Sequence, residues 1–219
     1  MRNTSSITIT ILGIAIGSAL AANFLTGCGH AGHASGTRTS PKPTIHVLID
    51  RSHSTDAARG RQLATAKKIH LEMAKAADIH FWAFDSKPIE VIAAGSTLTT
   101  KQLVVALGAE IALKSSDIRT ITRPGAAIKA LSDKASSGAP MSVILISDGD
   151  IDDAADRPVL KAAAENLIGK TPGSKLTIIG IDPNNRKAWE DILTPAAEQA
   201  TTLATWAEAS NALKLATKS

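Results

Sequence analysis

The sequence predicts an α/β protein in which a mostly parallel sheet is covered by helices on both faces. Short apolar, β-rich runs alternate along the chain with stretches whose apolar residues recur at helical spacing. Residues 44–49 and 142–147 place apolar side chains on both faces, as buried strands of a parallel sheet do. Because the connections between these runs are short, strand and helix are expected to alternate within one layered domain.

The first half of the chain is predicted to hold three strands and one long amphipathic helix. The strands are expected over residues 44–49, 79–84 and 89–93. The helix is expected over residues 56–77, where the apolar positions at helical spacing are Leu63, Ala66, Ile69, Met73 and Ala76. The third strand follows the second after a short turn, so we expect it to be an antiparallel edge strand.

The second half is predicted to continue the alternation up to a C-terminal helix. The first expected helix runs through Leu103 and Leu107 and is capped by Thr99 or Thr100, and the second covers residues 125–135 with Pro124 at its start. A strand over 142–147 and a helix over 158–168 follow. Further strands are expected over 175–181 and 200–204. Asp156 is expected to cap the helix over 158–168, and Gly169 to end it. Residues 205–208 (TWAE) form a capping box that predicts the start of the terminal helix.

The N-terminal residues are predicted to be an export signal and not part of the fold. Arg2 precedes an apolar segment over residues 7–24 that has no charged side chain. Residues 25–28 (LTGC) resemble the lipobox of bacterial lipoproteins, in which the cysteine is acylated and becomes the first residue of the mature chain. Cys28 is the only cysteine, so an intrachain disulfide is excluded. The alternatives are a retained transmembrane anchor and a plain secretory signal.

The domain organisation follows from this prediction. Residues 1–27 are the expected lipoprotein signal peptide, and residues 28–43, rich in Gly, Ala, Ser, Thr, His and Pro, are the expected flexible tether that starts at lipidated Cys28. Residues 44–219 are long enough for one domain with a substantial core. The expected location is the bacterial cell envelope, on a membrane and facing away from the cytoplasm. Gly29 after the cysteine favours the outer membrane if the host is Gram-negative.

The overall charge gives little support for nucleic-acid binding. The chain has 24 Lys and Arg against 20 Asp and Glu, and the basic residues are scattered along the sequence. Aromatic residues make up 3% of the chain, which leaves few side chains to stack on bases. We therefore expect no nucleic-acid partner.

A group of oxygen-bearing side chains follows the first predicted strand. Asp50, Ser52 and Ser54 form the pattern D-x-S-x-S where a buried strand meets a helix. Carboxylate and hydroxyl oxygens suit a hard divalent cation such as Mg²⁺. The structural alternative is that Ser52, Ser54 or Thr55 caps the following helix.

A second acidic loop follows the strand over residues 142–147. Asp148 and Gly149 come directly after it, so their loop is expected at the same sheet edge as Asp50. The structural alternative is an ordinary turn. Asp148, Asp150 and Asp152 also alternate as in an EF-hand, but that loop needs glycine sixth and glutamate twelfth, where this chain has Asp153 and Val159. The further acids, including Asp156, are expected to form a solvated rim, one of which could assist a cation.

Together with residues 122–128 (TRPGAAI), these two loops resemble the metal-ion-dependent adhesion site (MIDAS) of von Willebrand factor A (vWA) domains. That site combines D-x-S-x-S after the first strand, a threonine before a helix that reads roughly T-x-x-G-x-A-(L/I), and an aspartate followed by glycine after an apolar strand. The three parts occur here in that order. The resemblance extends from residue 44 to the C-terminus and implies the three-layer, Rossmann-like vWA fold.

The resemblance also implies a ligand set and a partner. Five residues would hold Mg²⁺, or Mn²⁺ or Ca²⁺, directly or through water: Asp50, Ser52, Ser54, Thr122 and Asp148. An acidic residue of a partner protein would complete the coordination.

Two positions depart from the family pattern. Ile121 stands where glycine usually precedes the threonine, and Thr120 could compete for the role of Thr122. His53 stands where glycine is common, next to Arg51. These basic residues are expected at the rim, where they would attract an acidic partner or crowd the site.

Three functions are compatible with this site. A membrane-anchored module for metal-dependent protein–protein interaction is favoured, and an enzyme is not expected. A metal-dependent hydrolase of the haloacid-dehalogenase kind would need a second acid two residues after Asp50, where Ser52 stands. The mature sequence has no G-x-S-x-G elbow, phosphate-binding P-loop or dinucleotide glycine motif. The third possibility is a metal-free, vWA-like structural partner.

Overall fold

Six strands form a single sheet in the order β3-β2-β1-β4-β5-β6 in the computed structural model. The structure describes residues 42–112, 121–134 and 140–216, which belong to one compact unit, Ser40–Ser219. Cys28, the predicted signal peptide, most of the tether and Thr120 lie outside the described residues. The strands are β1 Thr44–Asp50, β2 Asp78–Phe84, β3 Pro88–Ile92, β4 Met141–Ile146, β5 Lys175–Ile179 and β6 Thr201–Ala204.

The sheet is parallel except at one edge, as predicted. β3 pairs antiparallel with β2, and every other neighbouring pair is parallel. The register places Asp50 beside Phe84 of β2 and Ile49 beside Ile146 of β4. From β1 the chain leads first to β2 on one side and later to β4 on the other. The carboxyl end of β1 is therefore a topological switch point, where open α/β sheets leave a crevice for ligands.

Helices cover both faces of the sheet, which confirms the three-layer α/β fold. The helices are α1 Arg59–Met73, α2 Thr100–Ala112, α3 Pro124–Lys134, α4 Asp156–Lys170, α5 Pro183–Ile192, α6 Pro195–Gln199 and α7 Ala209–Ala216. Val47 and Ile49 belong to a core cluster with α1, α2 and α7, whereas Leu48 belongs to one with α3, α4 and α5. This alternation follows from the period of two along a strand.

Several predicted helix boundaries were wrong for identifiable reasons. A 3-10 helix, His53–Ala58, precedes α1, so the regular helix begins later than predicted. Gly169 lies inside α4 and does not end it. Helices α5 and α6 were not predicted. The predicted capping box is present, because the Glu208 carboxylate accepts a hydrogen bond from the Thr205 amide at 2.8 Å directly before α7 begins at Ala209. Among the described residues, no helix has the length and apolar character needed to cross a membrane.

Candidate metal centre

Asp50 is a fully buried carboxylate at the end of β1. Its Oδ1 accepts a hydrogen bond from the Ser52 amide at 2.8 Å, and its Oδ2 accepts one from the Ser147 hydroxyl at 2.7 Å. Within the described residues no basic side chain forms an ion pair with it. Burial raises its pKa to about 7, although the hydrogen bonds from Ser147 and Ser52 oppose the shift. The site therefore holds a carboxylate whose negative charge is poorly compensated.

The Ser52 and Ser54 hydroxyls lie beside this carboxylate, and their oxygens are 3.1 Å apart. Ser52 is the N-cap of the 3-10 helix, but its side chain makes no capping hydrogen bond. The Thr55 hydroxyl donates to the carbonyls of Asp50 at 3.2 Å and Ser52 at 2.9 Å, and so fixes the turn. The Gln62 amide donates to the same Asp50 carbonyl at 2.8 Å. The alternative prediction that these hydroxyls cap the helix is therefore wrong. The two serine oxygens are instead candidate ligands of a cation.

The loop after β4 is joined directly to Asp50. Ser147, which donates to Asp50, also accepts a hydrogen bond from the Gly149 amide at 3.0 Å, and Asp148 Oδ1 accepts from the Asp150 amide at 3.1 Å. Gly149 has φ 77°, and an added Cβ would lie 2.7 Å from the Ile181 side chain, so only glycine fits. Asp148 and Asp50 are thus adjacent, as the order of the strands predicted.

The unpredicted helix α5 supports this loop from outside. The Trp189 indole donates to the Gly149 carbonyl at 2.8 Å, and the Asn185 amide donates to the Asp148 carbonyl at 3.1 Å. Asp182 caps α5 by accepting from the Asn184 amide at 2.8 Å, with Pro183 in the first turn. This Asp-Pro pair is the signal from which the helix could have been predicted.

Thr122 is also fully buried, and its hydroxyl has no hydrogen-bond partner among the described residues. An isolated buried hydroxyl is costly, so such atoms in native proteins call for an explanation. The loop that carries it is fixed by its backbone, because the Thr122 amide donates to Asp152 Oδ2 at 3.0 Å. The neighbouring Arg123 amide donates to the Asp85 carbonyl at 3.0 Å.

The end of β2 joins the D-x-S-x-S loop to the loop that carries Thr122. Its Phe84 carbonyl accepts from the Arg51 amide at 2.9 Å, and the next carbonyl, that of Asp85, accepts from Arg123. Ser147 joins the Asp148 loop to the Asp50 loop. The structure therefore brings the Asp50, Thr122 and Asp148 loops to one place at the carboxyl edge of the sheet.

The two basic residues predicted at the rim have different positions. Arg51 is not at the rim: it is buried, with its Nε 3.0 Å from Asp85 Oδ2 and its guanidinium also paired with Glu110. Although burial acts to raise it, Arg51 and hydrogen bonds from residues 86 and 87 hold the pKa of Asp85 below its usual value. Only His53 is exposed, and its Nδ1 lies 3.0 Å from Asp56 Oδ2. Arg51 therefore neither crowds the site nor attracts a partner.

The acids after Asp148 are structural and not simply a solvated rim. Asp153 pairs with Arg123 at 2.9 Å, and Asp152 holds the Thr122 amide. Asp156 is buried and accepts from the amides of Gly125 at 2.6 Å and Ala126 at 2.9 Å. It therefore caps α3, not its own helix as predicted, and burial raises its pKa.

Asp150 is half-buried and has a perturbed carboxyl group. Burial raises its pKa, and the negative charges of Asp152 and Asp148 add to the shift. Across the described ranges, no group of three or more His, Cys, Asp or Glu side chains could hold a metal. A cation at this edge would therefore need hydroxyl ligands, which Ser52, Ser54 and Thr122 can supply.

Solved structures with this fold include metal-binding proteins. The chain matches a von Willebrand factor type A protein from Catenulispora acidiphila with a TM-score of 0.52, 20% identity and coverage of 82% of this chain and 43% of that one. It matches manganese-loaded TRAP protein of Plasmodium vivax with a TM-score of 0.55, 17% identity and coverage of 80% and 73%. It also matches proximal thread matrix protein 1 from the mussel byssus with a zinc-occupied MIDAS motif, with a TM-score of 0.52, 15% identity and coverage of 80% and 47%.

These matches establish the fold of the chain, which is the vWA fold. Because the identities do not exceed 20%, they do not by themselves transfer a function. The chain spans less than half of the Catenulispora and mussel chains. No protein-family model matches the chain, and no curated protein matches it.

Proposed function

We propose that this domain binds one divalent cation at the Asp50 loop and presents it to an acidic group of a partner protein. The proposed ligands, direct or through water, are Asp50, Ser52, Ser54, Thr122 and Asp148. The observation that carries the proposal is the fully buried Asp50 carboxylate, which has hydroxyls around it and no basic partner among the described residues. A bound cation would compensate its charge.

The donor set fits Mg²⁺ or Mn²⁺ chemically. Mg²⁺ prefers oxygen ligands and keeps several waters. The Thr122 hydroxyl, which lacks a partner among the described residues, is the kind of atom that a cation or its water would satisfy. Because hydroxyl ligands are neutral, they leave part of the cation's charge available to a carboxylate from outside. The zinc-occupied and manganese-loaded structures of the same fold support this choice of chemistry.

We further propose that the domain is displayed on a membrane. Lipidated Cys28 would provide the anchor, and residues 28–43 would provide a flexible tether that lets the metal site reach a partner. The location would be the bacterial cell envelope, on the side away from the cytoplasm. Mass determination of the purified protein from its host would detect the acyl chains on Cys28.

An enzymatic role is not proposed. The position where a dehalogenase-like hydrolase needs its second acid is occupied by Ser52, whose hydroxyl contacts Ser54. The interaction with a partner therefore remains the better explanation of the site. A metal-free structural role is the remaining alternative, and the same experiment distinguishes it.

Thermal unfolding of the purified protein tests the proposal. We compare millimolar Mg²⁺, Mn²⁺ and EDTA for the wild type, for Ser54→Ala at the site, and for Ser210→Ala as a matched exposed serine on α7. At ~10–100 times Kd, the cation should stabilise the wild type by about 1–3 kcal/mol, or roughly 3–10 °C. Ser54→Ala should lose most of this rise and Ser210→Ala none. Equal unfolding temperatures of the wild type in Mn²⁺ and EDTA would favour the metal-free role.

A further inference from the structure

A groove beside the candidate metal centre has room for more of a partner than a single carboxylate. Its volume is about 390 Å³, and two of the proposed metal ligands, Ser54 and Asp148, line it. The other walls come from the start of α1 and from the loops that follow β5 and β6. These walls include Arg61, Gly180, Asp182 and Trp206.

Trp206 forms a fixed apolar surface in this groove. Gly180, which follows β5, has φ 96°, and a Cβ added there would lie 2.5 Å from the Trp206 ring. The indole therefore packs directly on the glycine backbone, and a larger residue at position 180 would displace it. Trp206 is half-buried, whereas Trp82 and Trp189 are buried. An aromatic ring held in this way can cover the apolar part of a partner side chain at little entropic cost.

Arg61 supplies an available positive charge on the same wall. Its guanidinium carbon is 6.0 Å from the centre of the Trp206 ring, at the limit of a cation–π contact. The side chain is exposed, and in the part of the chain that the structure describes it has no ion pair. By contrast, Arg51 and Arg59 nearby in the sequence are both paired with acids.

The two acids that line the groove already have other contacts. Asp182 accepts from the Asn184 amide at 2.8 Å at the start of α5. Asp148 accepts from the Asp150 amide and is a proposed metal ligand. These hydrogen bonds leave both carboxylates charged, and the positive groups open to an incoming carboxylate are the bound cation and Arg61. This favours an acidic segment and disfavours a basic one.

We infer that the groove binds an extended acidic segment of a partner protein through two carboxylates. The first would complete the coordination of the cation, and the second would pair with Arg61 while its aliphatic part lies on Trp206. The inference rests on the proposed function, because it needs the cation to hold the first carboxylate. It adds a sequence requirement for the partner: two acidic residues close together.

The probes are blocked synthetic peptides of glycine with one aspartate or with two. In the two-acid peptides the aspartates are adjacent or separated by one or two glycines. Binding in Mn²⁺ is followed by the quenching of tryptophan fluorescence by acrylamide. Since Trp82 and Trp189 are buried, the quenching reports mainly on Trp206. An exposed ion pair is worth up to about 1 kcal/mol, so at least one two-acid peptide should bind about three- to fivefold tighter than the one-acid peptide and protect the tryptophan.

Arg61→Gln tests the assignment, with Arg157→Gln, an exposed arginine of α4 that does not line the groove, as the matched control. We expect Arg61→Gln to keep the cation-dependent stability of the wild type and to bind one-acid and two-acid peptides equally. Arg157→Gln should behave as the wild type. If Arg61→Gln retains the preference, or if no peptide binds while the cation does, the inference is wrong. If the cation itself has no effect on the wild type, the proposed function fails and the inference fails with it.

Discussion

Two buried aspartates at the ends of neighbouring strands, Asp50 as the last residue of β1 and Asp85 directly after β2, have opposite electrostatic environments. Asp85 lies beside the buried Arg51 guanidinium, and its pKa is lowered. Asp50 is surrounded by hydroxyls and amides, and its pKa is raised to about 7. The contrast teaches that one carboxylate is compensated within the protein by a guanidinium, whereas the other has no basic partner among the described residues, and this difference is the basis for proposing a cation at Asp50.

Removing the buried guanidinium of Arg51 should have the largest effect on stability. Arg51→Met takes away the partner of Asp85 and Glu110 in a buried position, so we expect the free energy of unfolding to fall by about 3–5 kcal/mol. Urea denaturation measures the change. Arg186→Gln is the matched control, because its exposed pair with Glu208 is worth at most about 1 kcal/mol. Equal losses in the two variants would remove the distinction between the two carboxylates.

Neutralising the Asp50 carboxylate should increase the free energy of unfolding, whereas the loss of Arg51 should decrease it. The pKa of Asp50 is raised from 3.8 to about 7, so its charge costs stability once the pH rises above 3.8, and the full cost is reached above 7. In EDTA at pH 8, we expect Asp50→Asn to be more stable than the wild type by on the order of 2–4 kcal/mol. The gain should shrink as the pH falls to 4, which denaturation curves across this range would measure. A destabilised variant at pH 8 would show that the charge of Asp50 does not cost stability.

A third buried group, His46, should oppose Asp50 on the acid side of the pH profile. His46 accepts a hydrogen bond from the Trp82 indole at 3.2 Å and stacks on His80 at 4.6 Å, with Glu90 and Lys134 also close enough to act on its charge. Burial first, and His80 next, lower its pKa to about 4 from 6.5. As the pH falls, His46 therefore takes up a proton at a higher pH in the unfolded chain than in the folded protein.

The contribution of His46 to stability should accordingly decrease between pH 6.5 and 4, by on the order of 2 kcal/mol, while the contribution of Asp50 changes in the opposite direction over the same range. His46→Gln keeps an acceptor for Trp82 and should remove this decrease, so that the variant is stabilised relative to the wild type as the pH falls, without a change in the response to Mn²⁺. An unchanged acid slope in the variant would show that other groups cause it.

The smallest effect is expected at Thr122. Thr122→Val removes a hydroxyl that lacks a partner among the described residues, so in EDTA the stability should change by less than about 1 kcal/mol and could increase. In Mn²⁺, the variant should show a smaller rise in unfolding temperature than the wild type. A large loss of stability in EDTA would instead show that the hydroxyl has a structural role.

The parts of the structure that sequence predicted well depend on local patterns. The strands β1 and β4 have apolar residues on both faces, and D-x-S-x-S needs only five consecutive residues. Asp148 could be placed near Asp50 because parallel strands end at a common edge. The predicted α/β fold with one antiparallel strand is confirmed by the sheet. The assignment of the metal ligands remains a prediction.

The parts that sequence missed depend on contacts distant in the chain. Arg51 is buried because Asp85 and Glu110, 34 and 59 residues later, pair with it. Asp156 caps a helix that starts 32 residues earlier, at Pro124. The hydrogen bond from Ser147 to Asp50 could not be predicted, because a single serine at the end of a strand can have many roles. Helix α5 is mostly polar and buries only Trp189, so it lacks the apolar periodicity that predicts a helix.

The most direct test of the central claim is a titration of the purified protein with Mn²⁺, in which electron paramagnetic resonance measures the free ion. We expect one saturable site per chain in the wild type, weakened strongly by Ser54→Ala and abolished by Asp50→Asn. Ser210→Ala should bind as the wild type does. No saturable binding up to millimolar Mn²⁺, or equal binding by the wild type and Asp50→Asn, would contradict the claim that this buried carboxylate and its hydroxyls hold a cation.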